Sequence, residues 1–192
     1  WYRMRLPALA LAAQGVDVWV DGNGPVVQWD RRWTGKTAPH EARVLGLETK
    51  PDADVVVINR PARAHWAETI PHLQSAGIRV VVDVDDDFAA IPLDNAAHAT
   101  YHEGKNPRSN RKWIERACLL ADLVTCSTLA LATRYAPHGR FVVLPNLVPA
   151  WYLDVEPAEP LDRTIGWSGS VDTHPGNLES AGGAVHQVRA GQ

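Results

Sequence analysis

The sequence predicts an α/β fold, a Rossmann-like and mostly parallel sheet with helices on both faces. Three observations predict it. Short β-branched runs recur along the chain, and each is followed by a stretch with helical spacing or by turn residues. Those runs are too apolar to leave one sheet face in water, which requires cover on both sides. The residues directly after them are unusually polar, as expected where parallel strands deliver their carboxyl ends to a ligand crevice.

In chain order, the first element is a helix over Arg3–Ala13, with Leu6, Leu9, Ala10 and Ala13 on one stripe and Gly15 where a helix would stop. Pro7 fits it only within the first turn. A strand is expected at Val16–Val20 and another at Asp54–Ile58. Ala62–Ala76 places Trp66, Ile70 and Leu73 on one helical face, Pro71 is expected to kink it or start a second short helix, and Gly77 ends it. A strand follows at Ile78–Val84. Asn110 is placed to cap a helix that buries Trp113 or Ile114, then Ala117, Cys118 and Ala121. Next come a strand at Leu123–Cys126, a helix at Leu129–Tyr135 capped by Ser127 or Thr128, and a strand at Phe141–Leu144. A proline-rich stretch, Pro149–Pro160, reads as an interdomain linker. One further strand, Thr164–Trp167, and a glycine-bearing turn begin a second unit. The organisation expected is a Rossmann-like domain over 1–149, a linker over 150–162, and the start of an incomplete second domain over 163–192.

Composition narrows the function. With 45% hydrophobic and 21% charged residues the chain can bury a substantial core. A formal charge of −3 with both signs scattered leaves no electropositive face, so nucleic acid is not an expected partner. The longest apolar runs fall well short of the roughly 20 residues needed to cross a bilayer, and the opening residues show no signal-peptide cleavage pattern. A soluble, cytoplasmic protein without a transmembrane segment is the expectation. Cys118 and Cys126 suggest neither a disulfide framework nor a zinc site, and read as reduced thiols in the core.

The polar residues after the strands are Asn59-Arg60, Asp85-Asp86-Asp87, Ser127-Thr128, Asn146 and Ser168-Gly169-Ser170. Helix capping alone accounts for Ser127 and Thr128. Arg60 and Asn146 are candidate substrate contacts, and Arg3 and Arg5 are candidates to reach the same crevice from the first helix, against the alternative of solvated arginines. Asp85 and Asp86 are candidate bases or sugar contacts. Crowding of three carboxylates should raise at least one pKa, although one of them capping the next helix while the others are solvated is the plainer alternative.

Five segments, in order, resemble the GT-B glycosyltransferases related to family 4, also called group 1. Tyr2-Arg3-x-Arg5-x-Pro7 with Gly15 is similar to their opening motif. Asp83-Val84-Asp85-Asp86-Asp87-Phe88 with Ile91-Pro92 resembles the acidic segment of one branch. Ala121 to Thr128 is similar to their "ADLVTVST", Val143-Leu144-Pro145-Asn146 to "VLPN", and Ile165-Gly166-Trp167-Ser168-Gly169-Ser170 with His174 to the opening of the donor domain. The resemblance spans nearly the whole chain. It implies transfer of a sugar from a nucleotide diphosphate sugar to the hydroxyl of a small-molecule, glycan or protein acceptor, with no obligatory metal or other cofactor. It also implies that Gly166, Ser168, Gly169, Ser170 and His174 contact the donor diphosphate. A glycine-flanked turn that leads into a helix exposes the backbone N–H groups such a contact needs, although most Gly-Ser turns bind nothing. The sequence departs from the family in two ways. The histidine that many members carry after a central strand is replaced here by the acidic cluster, and the basic pair and acidic residue that hold the donor fall downstream of Gln192. The stretch 1–192 is therefore expected to be an incomplete and inactive piece of a hexosyltransferase-type enzyme.

Other readings use the same residues. Val80 to Phe88 resembles the first motif of haloacid-dehalogenase phosphatases, but no lysine follows Lys112 and no Asp-Asp pair follows Asp87. A metal-dependent GT-A transferase would hold Mn²⁺ or Mg²⁺ on Asp83 and Asp85, but leaves the linker and the Ile165–Ser170 restart unexplained. His98 and His102, with Glu103, have metal-pair spacing and read more simply as surface histidines. A non-catalytic binding domain that keeps the fold is the alternative in a different class. Trp66 and Trp113 read as core, while Trp29, Trp33 and Trp151 are the tryptophans better suited to a cleft or interdomain contact.

Overall fold

The computed structural model describes residues 2–22, 27–29, 44–106 and 110–156, with residues 176 and 182. Its centre is a four-stranded parallel sheet of β3 (Val55–Asn59), β4 (Arg79–Val84), β5 (Leu123–Cys126) and β6 (Phe141–Val143), ordered as in the chain. Helices α2 (Ala64–Ser75), α4 (Arg111–Leu120) and α5 (Leu129–Tyr135) make the crossovers, and α3 (Ala96–Tyr101) precedes α4. Helix α1 (Arg5–Ala13) comes first in the chain, and β1 (Val27–Trp29) pairs antiparallel with β2 (Val44–Leu47) as a separate ribbon. The α/β class with a parallel sheet flanked by helices is the one the sequence predicts.

Side chains alternate across a sheet, and the two faces here differ sharply. Ile58, Val80, Val82, Val84, Val124 and Cys126 share one core with Ala67, Ile70 and Leu73 of α2, Ile114, Ala117 and Cys118 of α4, and Leu131, Ala132 and Tyr135 of α5. The intervening residues form the other face. On it, Asn59, Asp83, Thr125 and Val142 lie side by side in register at the carboxyl end, and Val57, Val81 and Leu123 form the row beneath. Val55, Val57 and Val142 are exposed there.

Local signals fixed most boundaries. Asn110 accepts from Lys112 N at 3.0 Å and caps α4, and Thr128 rather than Ser127 caps α5, accepting from Leu131 N at 3.3 Å. Pro7 occupies the first turn of α1, where its missing N–H costs nothing. Pro71, expected to kink the helix or start a second short one, lies inside α2, and no second helix starts there. The burial of Ala67, Ile70 and Leu73 around it supplies what the one missing hydrogen bond forfeits.

Two further expectations fail. Val16–Val20 is not a strand: its alternating valines have no ladder partner among the described residues, and Val16, Trp19 and Val20 are exposed. The stripe of α1 buries nothing. The ribbon of β1 and β2 was not foreseen, because its strands are too short to show a period; His72 of α2 lies 3.2 Å from Val44 O beside it. The expected strand Thr164–Trp167 lies outside the described residues.

Candidate functional site

All four parallel strands end along one edge, and the polar residues after them meet there. Asp83, the fifth residue of β4, is 2% exposed. Its carboxylate accepts from Arg3 Nε at 3.0 Å and from a second Arg3 nitrogen, from Asn59 Nδ2 at 2.9 Å and from Thr125 Oγ1 at 2.6 Å. The bidentate guanidinium supplies the charge that a buried carboxylate requires, and the two neutral donors fill its remaining acceptor sites. Arg3 also donates to Leu144 O at 2.6 Å and to Asn146 Oδ1 at 3.3 Å, tying the segment after β6 to the centre of the sheet.

A second ion pair adjoins the first. Arg60 donates from Nε and Nη2 to the two oxygens of Asp85, each at 2.7 Å, and the Tyr2 hydroxyl donates to Asp85 Oδ2 at 2.7 Å. Burial alone would raise the Asp85 carboxyl, but the Arg60 and Tyr2 hydrogen bonds outweigh it and hold its pKa below the ordinary aspartate value. Tyr2 moves up, mainly because its hydroxyl donates to Asp85 and also through burial. Arg60 has φ of 48°, the left-handed region, and its N–H bonds to Asp83 O at 3.1 Å, so the turn after β3 is built to aim this side chain.

The acidic run therefore does not behave as a crowd of like charges. Each carboxylate has its own environment: Asp83 pairs with Arg3, Asp85 with Arg60, and Asp87 with Arg134 at 3.2 Å. Asp86 differs, being 62% exposed and 3.8 Å from Arg60. The expected rise in pKa is corrected at Asp85, where the guanidinium makes the shift downward. Tyr135 holds the loop from beneath by accepting from Phe88 N at 3.0 Å, and burial pushes its own pKa up to about 12.

Of the residues singled out from sequence, Arg3, Arg60, Asp85, Asp86 and Asn146 come together here. Arg5 opens α1 as an exposed residue. Gly166, Ser168, Gly169, Ser170 and His174 lie outside the described residues. Tyr2, Asn59, Asp83 and Thr125 belong to the cluster although they were not chosen as site residues. A cation at Asp83 and Asp85 would have to displace two bidentate guanidinium groups, so the pair does not fit the metal-dependent GT-A reading. The rings of His98 and His102 are tilted against each other with centroids 4.7 Å apart, and His102 Nδ1 accepts from Gly104 N. Among the described residues no group of three or more His, Cys, Asp or Glu side chains is arranged to hold a metal.

Cys118 and Cys126 are buried free thiols; burial raises both, Cys126 to about 11. Trp113 is core, Trp66 packs against it, and the exposed Trp151 stacks on Tyr152 at 4.1 Å. The side chain of Trp29 and all of Trp33 lie outside the described residues. No helix among the described residues is long and apolar enough to cross a membrane. No protein family, curated protein or solved structure matches the chain.

Proposed function

We propose that this chain is the acceptor-side portion of a glycosyltransferase that moves a sugar from a nucleotide diphosphate sugar to an acceptor hydroxyl. One observation carries the reading. Arg3 joins three of the segments that resemble family 4, bonding at once to Asp83 of the acidic segment and to Leu144 and Asn146 of the segment after β6. These motifs are far apart in sequence and share one edge of a parallel sheet, where such folds bind ligands.

In this scheme Asp85 and Arg60 position and Asp86 reacts. The oxygens of Asp85 are taken by Arg60 and Tyr2 and its pKa is lowered, which makes it a poor base. Asp86 presents its carboxylate to solvent at the same edge. It accepts the proton of the acceptor hydroxyl as that oxygen bonds to the anomeric carbon. The bond from that carbon to the diphosphate breaks with its electron pair leaving on the diphosphate, and the resemblance assigns the diphosphate to Gly166 to Ser170, a segment outside the described residues. No metal is required.

The non-catalytic alternative draws support from the same ion pairs, because a locked cluster also serves as a brace. Release of nucleoside diphosphate from a panel of nucleotide sugars by the full natural protein separates the two. Asp86→Asn should lower turnover by about 10²-fold or more with donor binding retained. Donor binding without turnover in the unaltered protein would favour the binding-domain reading.

A further inference from the structure

We propose that the pocket between the loop after β4 and helices α3 and α4 is a binding site for the phosphate group of a small phosphate monoester. Phe88 and Ile91 of the loop give the pocket an apolar wall, and His98, Tyr101, His102 and Arg111 line the rest. It is open to solvent and holds about 30 Å³, which suits one phosphate group and is far too small for a whole sugar or nucleotide. Three of the lining side chains are basic, and no described carboxylate lines it. That composition favours an anion over a metal cation, which the Arg111 guanidinium would repel.

The polar groups of this pocket lack acceptors of their own. Among the described residues the Arg111 guanidinium, the Tyr101 hydroxyl and the His98 ring make no hydrogen bond or ion pair. Each of the three side chains is only partly exposed, so it has given up hydration without gaining a partner. His102 is set as a donor. Its Nδ1 accepts from Gly104 N at 3.1 Å, and an amide N–H can only donate, so the proton of the neutral ring sits on Nε2. Gly104 permits that approach, since a Cβ there would stand 3.2 Å from His102 Cε1 and 3.3 Å from Nδ1. A guanidinium fork and an imidazole N–H together suit the three terminal oxygens of a phosphate monoester better than the two of a carboxylate. The pocket also adjoins the polar strand edge: Phe88 follows Asp86 by two residues, and Tyr101 acts electrostatically on Arg60.

Titration of the full natural protein with inorganic phosphate, glycerol phosphate and acetate, at fixed pH and ionic strength, tests this without any sugar donor. Its outcome is therefore independent of the glycosyltransferase reading. The imidazole resonances of His98 and His102 should shift saturably with both phosphates, and acetate should bind at least tenfold more weakly. Arg111→Gln alters a partly exposed side chain and should weaken phosphate binding at least tenfold, while Arg111→Lys should weaken it less. Absence of a saturable shift at tens of millimolar phosphate would overturn the proposal. So would phosphate binding unchanged in Arg111→Gln, acetate bound as tightly as phosphate, or inorganic phosphate bound where glycerol phosphate is not.

Discussion

Arg3 and Asp83 are eighty positions apart and form a bidentate ion pair at the carboxyl end of the central strands, with Asp83 almost fully buried. Removing one partner of such a pair leaves the other as an uncompensated buried charge, which costs about 3–5 kcal/mol. Arg3→Ala should lower unfolding stability by that order, measured by urea denaturation at pH 7. Arg3→Lys should recover only part of the loss, because an ammonium group cannot donate the parallel pair of bonds.

Stability should titrate at both ends of the pH scale through Asp85 and Tyr2. Asp85 has a folded pKa below its ordinary value, so its contribution is complete above the unfolded value, about 4, and is lost as pH falls through the folded one. Tyr2 has a raised pKa, so its contribution is complete below about 10 and is lost as pH rises through the folded value. Urea unfolding across pH should show the acid arm flattened by Asp85→Asn and the alkaline arm by Tyr2→Phe.

Arg60 combines a left-handed backbone with a bidentate ion pair, and two substitutions separate these features. Arg60→Ala loses the pair and keeps the unfavourable φ, whereas Arg60→Gly loses the pair and relieves it. Gly should therefore be the more stable variant by about 1 kcal/mol in thermal unfolding, the reverse of their usual order.

Asn110 is fully buried, caps α4 through Lys112 N, and donates from Nδ2 to Asn106 O at 2.9 Å. Asn110→Ala should cost about 1–2 kcal/mol, with the earliest loss of hydrogen-exchange protection in the first turn of α4. Thr128→Ala, at an exposed cap, should cost less.

The elements that the sequence revealed are those whose own residues set their limits. Asn110 and Thr128 cap the helices they precede, and β3 to β6 fall within one residue of the expected strands. Val16–Val20 shows the limit of this reading, since an alternating pattern describes a strand only when a ladder partner stands beside it. The meeting of Arg60, Asp85, Asp86 and Asn146 was legible because polar residues after parallel strands share an edge, and Arg3 was expected to reach that edge from the first helix. Its hub was missed. A polar residue within each of three apolar strands, Asn59, Asp83 and Thr125, is a signal that was present, but their alignment depends on inter-strand register, which no single segment encodes. The charge state of the acidic run depended likewise on arginines 25 and 80 positions away.

The most direct test of the glycosyltransferase account is titration of a panel of nucleotide diphosphate sugars into the full natural protein, followed by backbone amide chemical shifts. The account predicts saturable binding for one nucleotide class, with shifts at Arg60, Asp86 and Asn146, and at least tenfold weaker binding in Gly169→Val, where a side chain would block the approach of the diphosphate to the backbone. Absence of binding at millimolar donor, or binding indifferent to Gly169→Val and without shifts at those three residues, would contradict it. The Arg3–Asp83 and Arg60–Asp85 pairs would then be a brace for the sheet edge alone.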